Sequence, residues 1–295
     1  LAMEIRGFGA SMIDILEKLL KKVHTKRLGI EAGSLSLASY NSFCAKLKHI
    51  DLIPTNGLVE NLRMIKDRDE IEAIRKSVDI AARGFQLLRS SLWPDKSEID
   101  IRDELEYNMR RFGAEDRGFP SIIAVGPRAA LPHAVPTGRK VESDPILLVD
   151  WGAKADLYIS DLTRVLVTGK LSAKFEKIYN IVLKAQTEAI AAIKPGATGE
   201  EVDNAARSVI KAAGYNRRFG HGLGHGIGLE VHENPRMGQK CETVLQPGMV
   251  VTVEPGIYLP GWGGVRIEDD VLVTRNGCEV LSEKVPKQLE DMIVD

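Results

Sequence analysis

The 295-residue sequence has only three cysteines and no long apolar run. Cys44, Cys241 and Cys278 lie far apart and show no CxxC spacing, so the sequence predicts neither a disulfide scaffold nor a thiolate zinc site. No apolar run approaches the roughly 18 residues that a membrane span needs, and residues 1–7 lack the apolar core of a signal peptide. These absences favour a protein of the reducing cytoplasm without a membrane partner.

An excess of positive charge is also missing. The net charge of −1 at pH 7 provides no broad basic surface of the kind that neutralises phosphates, which argues against nucleic acid as a main partner. The first residue is Leu1 and not methionine, from which we expect that upstream sequence is missing. The length allows one large domain or a domain with a smaller piece.

Residues 1–62 show the alternation of helix and strand that is typical of an α/β domain. Apolar residues recur at helical spacing between Ser11 and Val23, a second helical stretch covers residues 36–48, and strand-like segments lie at 27–30 and 51–54. Two short strands cannot form a well-buried sheet alone, so we expect the C-terminal part of a truncated domain. Residues 63–295 are expected to form the second domain.

Two helix pairs in the second domain share one pattern of caps and apolar positions. A shift of 101 residues superimposes Pro94 on Pro195 and Ser97 on Thr198, together with the apolar stripe and the glycine that ends each helix. The pattern indicates an internal duplication. The alternative is that two ordinary capped helix pairs match by chance.

An apolar run that ends in Asp150 and a β-like segment at 157–167 that contains Asp161 are expected to form a hairpin. A turn centred on Ala155-Asp156 would place the two carboxylates directly opposite each other, with Cβ atoms about 4.5 to 5.5 Å apart. Facing carboxylates repel each other, and a divalent metal ion between them removes that cost. The alternative is a solvent-exposed acidic hairpin, because most carboxylates lie at the surface.

Three of the six histidines, His221, His225 and His232, lie within twelve residues and are separated by four glycines. Dense glycine lets the backbone approach a ligand or metal closely, and it argues against a helical HxxxH site. We expect the three histidines to build a site, because imidazole serves both as a metal ligand and as a proton carrier. Their spacing alone does not show which of them binds metal.

Residues 250–254 and 265–273 are expected to form another hairpin, whose strands contribute Glu254 and Glu268. Both glutamates lie among valines and isoleucines, where an unpaired carboxylate is costly. Arg266 shares a strand face with Glu268 and is the plain alternative to a metal ion as their counter-charge. Oxygen-rich ligation with one imidazole suits manganese, cobalt, iron or zinc, and bridging carboxylates suit two ions about 3.5 to 4 Å apart.

Four segments together resemble the signature blocks of the pita-bread metallopeptidases, and more closely the Xaa-Pro aminopeptidase (aminopeptidase P) and prolidase branch than methionine aminopeptidase. They are VDWGAKADLYISDLTR, HGLGHGIGLEVHENP, VTVEPGIY and GGVRIEDD. The resemblance runs from about Arg63 to the end, and residues 1–62 resemble the last part of that branch's N-terminal domain. It implies an α+β fold, the pita-bread catalytic domain of two related α/β halves with the metal site between them.

The resemblance also implies a role for individual residues. The five metal ligands would be Asp150, Asp161, His225, Glu254 and Glu268, with Asp161 and Glu268 bridging two divalent ions, manganese first and cobalt, zinc or iron as alternatives. His133, His221 and His232 match family histidines that contact the substrate and the tetrahedral intermediate, and Glu254 would shuttle the proton. Family analogy also implies a homodimer.

The expected substrate is a peptide with proline at its second position. A site for that bond needs an apolar wall, because proline has no amide N–H, and we expect Tyr258 and the Gly261-Trp262-Gly263 loop to contribute to it. Arg266 is a further candidate for substrate binding. Arg236 matches a position where prolidase-like relatives bind the terminal carboxylate, although it can equally be a plain surface arginine.

Three classes of function compete for this fold. Among the metallopeptidases, aminopeptidase P is expected ahead of dipeptide-only prolidase. Creatinase-like hydrolysis without metal and a non-enzymatic interaction protein are the other two classes. The intact set of acidic residues argues against both of these.

Overall fold

The computed structural model describes residues 11–294, and the contacts within the chain divide it between Asn61 and Leu62. The site-forming motifs all lie in the larger unit, which begins at Leu62. Within the described residues, no helix is both long enough and apolar enough to cross a membrane.

The smaller unit combines two helices with a two-stranded parallel sheet. Its elements are α1 (Met12–Lys22), β1 (Arg27–Glu31), α2 (Leu37–Lys46) and β2 (Asp51–Thr55). Ser11 and Ser36 cap the two helices by accepting a backbone N–H from the first turn. Apolar side chains from all parts of this unit form a small core: Leu20, Ile30, Phe43 and Leu47. These elements agree with the sequence prediction, whereas α3 (Leu58–Arg63), which follows them, was not expected.

Four longer helices belong to the larger unit: α4 (Arg68–Ser90), α5 (Glu98–Arg111), α6 (Ala173–Ala192) and α7 (Gly199–Ala212). Ser97 and Thr198 cap α5 and α7, and each cap is completed by an acidic residue that bonds back to it. Both helices have 14 residues. Gly113 and Gly214 follow them with φ of 105° and 86°, conformations that suit glycine. The helix boundaries therefore follow the predicted 101-residue repeat.

Thirteen short strands complete the described part of this unit. They are β3 (Asp116–Arg117), β4 (Ile122–Val125), β5 (Ile146–Trp151), β6 (Ala153–Ala155), β7 (Tyr158–Ile159), β8 (Leu162–Val167), β9 (Gly224–Gly226), β10 (Glu233–Met237), β11 (Val250–Val253), β12 (Gly256–Leu259), β13 (Gly263–Arg266), β14 (Asp269–Thr274) and β15 (Gly277–Val280). They form a five-stranded sheet in the order β10-β9-β11-β14-β15, two three-stranded sheets in the orders β3-β6-β7 and β4-β5-β8, and the pair β12-β13.

Both hairpins that the sequence predicts are present, and each is interrupted. β5 pairs with β8 and β6 with β7, and the pairing breaks near Gly152 and Asp161. β11 pairs with β14 and β12 with β13, and this pairing breaks near Glu254 and Glu268. Thr163 and Glu268 form an isolated bridge between the two hairpins. Three of the expected metal ligands therefore lie where regular strand pairing stops.

The register of the first hairpin differs from our expectation by two residues. Asp150 pairs with Thr163 and not with Asp161, so the predicted direct opposition of the aspartates is wrong. The turn is centred on Asp156 and Leu157, whose φ angles of 48° and 72° are those that a two-residue hairpin of type I′ requires. Because side chains alternate with a period of two, the shift leaves both aspartates on the same face.

The C-terminal segment is tied to the centre of the larger unit by Arg164, which is 0% exposed. Its Nε donates to the carbonyl of Pro286, and its Nη2 donates to the carbonyl of Val285 and to the carboxylate of Asp269. Its Nη1 donates to the carbonyls of the two bridge residues, Thr163 and Glu268. Protein oxygens thus accept all five N–H groups of this guanidinium.

Candidate active site

One cavity of about 360 Å³ in the larger unit gathers nearly all of the candidate residues. Its lining includes every expected metal ligand: Asp150, Asp161, His225, Glu254 and Glu268. The other candidates on its lining are His133, His221, His232, Arg236 and Arg266. The two hairpins and the glycine-rich histidine segment therefore meet at a single place, as the sequence motifs imply.

Three of these side chains present ligand atoms that all lie within 4.8 Å of one another: Asp161, His225 and Glu268. Nε2 of His225 lies 3.8 Å from Oδ2 of Asp161 and 3.4 Å from Oε1 of Glu254. All of these groups are largely withdrawn from water, since even the Glu254 side chain is only 17% exposed. Such a cluster offers a divalent ion three carboxylates and one imidazole.

The tautomer of His225 follows from its contacts. Its Nδ1 lies 3.1 Å from the carbonyl oxygen of Gly226, which can only accept, so Nδ1 is the donor. Burial, followed by the nearby His232, lowers the pKa of His225 to about 3, so the ring is neutral at pH 7. Its Nε2 therefore presents a lone pair to the carboxylates, as a metal-ligating imidazole does.

Glycine allows this strand to come close to its neighbour. A Cβ on Gly224 would lie 2.2 Å from the carbonyl oxygen of Thr252, far inside van der Waals contact. The hydroxyl of Thr252 accepts the backbone N–H of His225 at 3.1 Å. The glycine-rich pattern thus has a steric cause, and it places His225 beside the strand that leads to Glu254.

The pKa values of three carboxyl groups in the cavity lie above those of carboxyl groups in water. Burial, then the charge of Glu268, raises the pKa of Asp161 well above its usual value, and burial with repulsion from Glu268 does the same for Glu254. Burial and repulsion from Asp150 raise the pKa of Glu268 to about 8. Carboxylates that repel one another out of contact with water need protons or a cation between them.

Buried carboxylate oxygens without a hydrogen-bond donor indicate that the residues present suit a metal ion. Among residues 11–294, Oδ1 of Asp150 and Oδ1 of Asp270 are buried and have no hydrogen-bond donor. A buried acceptor without a donor is costly, and a cation near it removes the cost. Together with the lone pair of His225 and the crowded carboxylates, the Asp150 oxygen, which belongs to the cavity lining, forms a donor set that suits divalent cations.

Arg266 neutralises a different carboxylate from the two that we expected. It is 3% exposed and forms its ion pair with Asp150 rather than with Glu254 or Glu268. Its Nη1 donates to the hydroxyl of Tyr258 at 2.9 Å and its Nε to the hydroxyl of Thr163 at 3.0 Å. Arg266 thus links Asp150, Tyr258 and Thr163, and its expected contact with the substrate stays a prediction.

His221 is also held by the protein. Its Nδ1 lies 2.7 Å from the carbonyl oxygen of Gly222 and its Nε2 lies 2.8 Å from the hydroxyl of Tyr258. Nδ1 therefore donates and Nε2 accepts from Tyr258, while burial lowers the pKa of His221 to about 4. Both ring nitrogens are engaged within the protein, and the direct substrate contact that the family resemblance implies stays a prediction.

The apolar wall of the cavity is not the one that we expected. Tyr258 is 8% exposed and directs its hydroxyl to Arg266 and His221, and it is absent from the cavity lining. Trp262 packs against Phe175, with its ring centroid 6.5 Å from that ring, and also lies off the lining. The apolar lining comes instead from residues that lay outside the recognised motifs or that we had not singled out: Phe119, Ile122, Pro132, Val231 and Met237.

Three polar side chains on the lining are free to meet a ligand. His133, His232 and Arg236 are exposed and have no side-chain hydrogen bond or ion pair within the described residues. The ring of His232 stands edge-on to that of His225, with centroids 4.3 Å apart. Burial, then the charge of Arg236, lowers the pKa of His232.

Two supporting residues escaped the sequence reasoning. The hydroxyl of Thr163 donates to Oε2 of Glu268 at 2.5 Å, and Oδ2 of Asp270 accepts the backbone N–H of Asp161 at 3.0 Å. Each lies two residues from a candidate ligand, so strand alternation places it on the same face. That spacing was the available signal for both.

Family models match both parts of the chain. The model described as Metallopeptidase family M24 matches residues 72–275, and the model described as Creatinase/Prolidase N-terminal domain matches residues 2–65. The chain is 43% identical over 270 residues to the Xaa-Pro dipeptidase of Pyrococcus furiosus. The aligned region covers 92% of this chain and 77% of that relative.

Solved structures give the same result. The Xaa-Pro dipeptidase from Bacillus anthracis has a TM-score of 0.93 and 43% identity, covering 96% of this chain and 79% of that one. The X-Pro aminopeptidase from Thermotoga maritima has a TM-score of 0.90 and 36% identity, covering 98% and 81%. The α+β pita-bread fold that the motifs imply is confirmed. The chain belongs to metallopeptidase family M24.

Proposed function

We propose that this chain is an Xaa-Pro dipeptidase, a metallopeptidase that cleaves dipeptides whose second residue is proline. The two relatives named Xaa-Pro dipeptidase are each 43% identical to it, whereas the structure named X-Pro aminopeptidase is 36% identical. The comparisons therefore favour prolidase over aminopeptidase P. This reverses our expectation from sequence, in which aminopeptidase P stood first and prolidase was the alternative.

One observation carries the proposal. A single cavity holds the whole candidate ligand set and, on the same lining, the exposed Arg236, whose guanidinium has no ion-pair partner in the described part of the chain. A guanidinium fork binds a carboxylate through two parallel hydrogen bonds. In a dipeptide the terminal carboxylate lies one residue from the scissile bond, so a cation close to the metal ligands favours short substrates.

The candidate ligands are proposed to hold two divalent ions, manganese first, with Asp161 and Glu268 shared between them. When bound, such ions polarise a carbonyl group and activate water. Glu254, on the cavity lining beside His225, is proposed to accept a proton from the attacking water and return it to the leaving nitrogen. His232 and His133 are proposed to donate hydrogen bonds to the oxyanion, and the apolar lining to receive the proline ring.

The proposal also keeps the expected organisation of the molecule. Residues 63–295 form the catalytic domain in this proposal, and residues 1–62 form part of the preceding one. The homodimer stays a prediction from family analogy.

The test compares Arg236→Ala with Arg275→Ala, a matched change of an exposed arginine that is not on the cavity lining. In the presence of manganese we expect the parent protein to hydrolyse Xaa-Pro dipeptides and to leave Xaa-Ala dipeptides nearly intact. Arg236→Ala should raise KM for the dipeptide by roughly 10- to 100-fold, the value of a hydrogen bond to a charged group. Arg275→Ala should leave it unchanged.

Turnover rates of peptides of different lengths can contradict the proposal. Faster turnover of Xaa-Pro tripeptides than of dipeptides, with no effect of Arg236→Ala, would favour aminopeptidase P. Efficient release of N-terminal methionine without a following proline would remove the chain from this branch.

A further inference from the structure

The segment from Gly228 to Glu233 carries His232 and is closed by the side chain of its last residue. Oε1 of Glu233 accepts the backbone N–H of Glu230 at 3.1 Å and a hydrogen bond from Arg63. Oε2 accepts from Nζ of Lys66 at 3.0 Å. The carboxylate of Glu233 thus closes the loop that carries it. It also binds the side chains of Arg63 and Lys66, which lie far away in the sequence.

The contact with Lys66 is buried. The side chains of Lys66 and Glu233 are 1% and 6% exposed. Burial alone would raise the pKa of Glu233, but the charge of Lys66 and the hydrogen bond from Arg63 outweigh it and hold that pKa below its usual value. Burial lowers the pKa of Lys66, and the carboxylate of Glu233 opposes this effect. Loss of either partner would leave a buried charge without its counter-ion.

The position of Lys66 is fixed by its own backbone. Its N–H donates to the carbonyl of Gly248 at 2.8 Å, two residues before β11, so Lys66 is anchored beside the start of the strand that leads to Glu254. At the other end of the loop, the carbonyl of Gly228 accepts the N–H of Ile159 at 2.8 Å. A Cβ on Gly228 would lie 2.8 Å from Oε2 of Glu233, so the loop fits closely against the pair.

His232 itself has no such anchor. Its ring contacts His225 edge-on at 4.3 Å between centroids, and its nitrogens have no hydrogen bond within residues 11–294. The place of the ring is therefore set by its backbone, which is continuous with that of Glu233. We propose that Lys66 and Glu233 are positioning residues that hold His232 against the candidate metal ligands, an inference that rests on the proposed role of His232 in the dipeptidase reaction.

The experiment is a double-mutant cycle on the manganese-loaded protein with an Xaa-Pro dipeptide. Glu233→Gln keeps the size of the side chain and removes its charge. We expect kcat to fall by roughly 10- to 100-fold, the cost of a displaced active-site group, with KM and metal content nearly unchanged. In a His232→Ala background the same change should have no further effect on kcat, because the group that it positions is gone.

Glu230→Gln is the matched control. Glu230 lies in the same loop and also faces Arg63, at 3.5 Å, but its side chain is 68% exposed. We expect this variant to keep the parent kcat. If Glu233→Gln does not fold, Lys66→Gln tests the same pair from the other side, in both backgrounds and with the same expectation.

Each alternative outcome counts against a particular claim. Equal losses of kcat in the parent and His232→Ala backgrounds would overturn the positioning role and leave the dipeptidase proposal intact. A His232→Ala protein with unchanged kcat would overturn the positioning role as well. A parent protein that hydrolyses no Xaa-Pro peptide would overturn both proposals.

Discussion

The half of the larger unit from α4 to β8 and the half from α6 to β14 each place two helices before a broken hairpin. The first half contributes Asp150 and Asp161 to the cavity, and the second contributes Glu254 and Glu268. Up to this point the halves are equivalent. In each half one further strand pairs with the hairpin, β4 in the first half and β9 in the second, but the clustered histidines, His225 among them, lie only in the second-half segment that contains β9 and leads into β10.

The comparison separates two tasks. The repeated scaffold places carboxylates at strand breaks, and this requires only ordinary hairpin pairing and helix packing. The histidine segment of the second half adds imidazole, whose neutral ring can ligate a metal ion or form hydrogen bonds. We infer that the repeat supplies the carboxylates of the metal-binding frame, and that the histidine segment with β10 supplies His225 to that frame and His232 and Arg236 to the substrate.

The largest effect is expected when one bridging carboxylate is removed from each half in turn. Asp161→Ala and Glu268→Ala should each lower kcat/KM by roughly 10³-fold or more and reduce metal content, because each is proposed to be shared by both ions. Metal analysis and steady-state kinetics on the same samples test this. Equal losses would support equivalent halves, whereas full metal occupancy in one variant would exclude that residue as a ligand.

A smaller effect is expected in the pH dependence of stability without metal. Because the pKa of Glu268 is raised to about 8 in the folded protein, the folded state holds its proton more tightly, and the free energy of unfolding falls as pH rises toward 8. His221 and His225, whose pKa values are lowered from 6.5, oppose this only below pH 6.5. Between pH 6.5 and 8 we therefore expect Glu268 to contribute a loss of about 1 to 2 kcal/mol.

Denaturant unfolding in chelator at the two pH values measures this loss. Glu268→Gln should flatten this dependence between pH 6.5 and 8. Divalent ions should remove the loss, because they take the place of the protons. A chelated protein that became more stable between pH 6.5 and 8 would contradict the raised pKa values.

The smallest effect concerns the helix starts. Ser97→Ala and Thr198→Ala each delete the side chain that caps a helix of the same length in the two halves, and each should cost about 1 kcal/mol of unfolding free energy. Activity should not change. Urea unfolding of the two variants side by side would show whether the halves are equally stable at these points. If the losses of unfolding free energy in the two variants differ by more than about 1 kcal/mol, one helix start depends on other contacts.

Local signals in the sequence predicted both hairpins and, of the α-helices in the described residues, all except α3. Ser97 and Thr198 begin their helices because a short hydroxyl side chain can accept a backbone N–H there, and this depends on neighbours only. The turn at Asp156-Leu157 was missed, since positive φ at Leu157 is unusual for a bulky residue and nothing in the residue type announces it. The family motifs named the cavity residues, but not which way their side chains turn.

Contacts between distant segments lay beyond the sequence. Glu233 and Lys66 are separated by 167 residues, and no periodicity links them. Arg266 was expected near Glu268 because they share a strand, yet it pairs with Asp150 from the other hairpin, 116 residues away. The packing of one half against the other determines which carboxylate pairs with Arg266. A residue pattern within one strand contains no information about that packing.

Arg164 has a consequence for the time course of synthesis. Its acceptor Pro286 follows it by 122 residues, a stretch that takes roughly 6 to 24 s to translate. Until those residues leave the ribosome, a guanidinium that is 0% exposed in the finished fold lacks part of its hydrogen bonding. The frame around Glu268 therefore closes only after Pro286 has left the ribosome, which delays completion of the cavity to a late stage of synthesis.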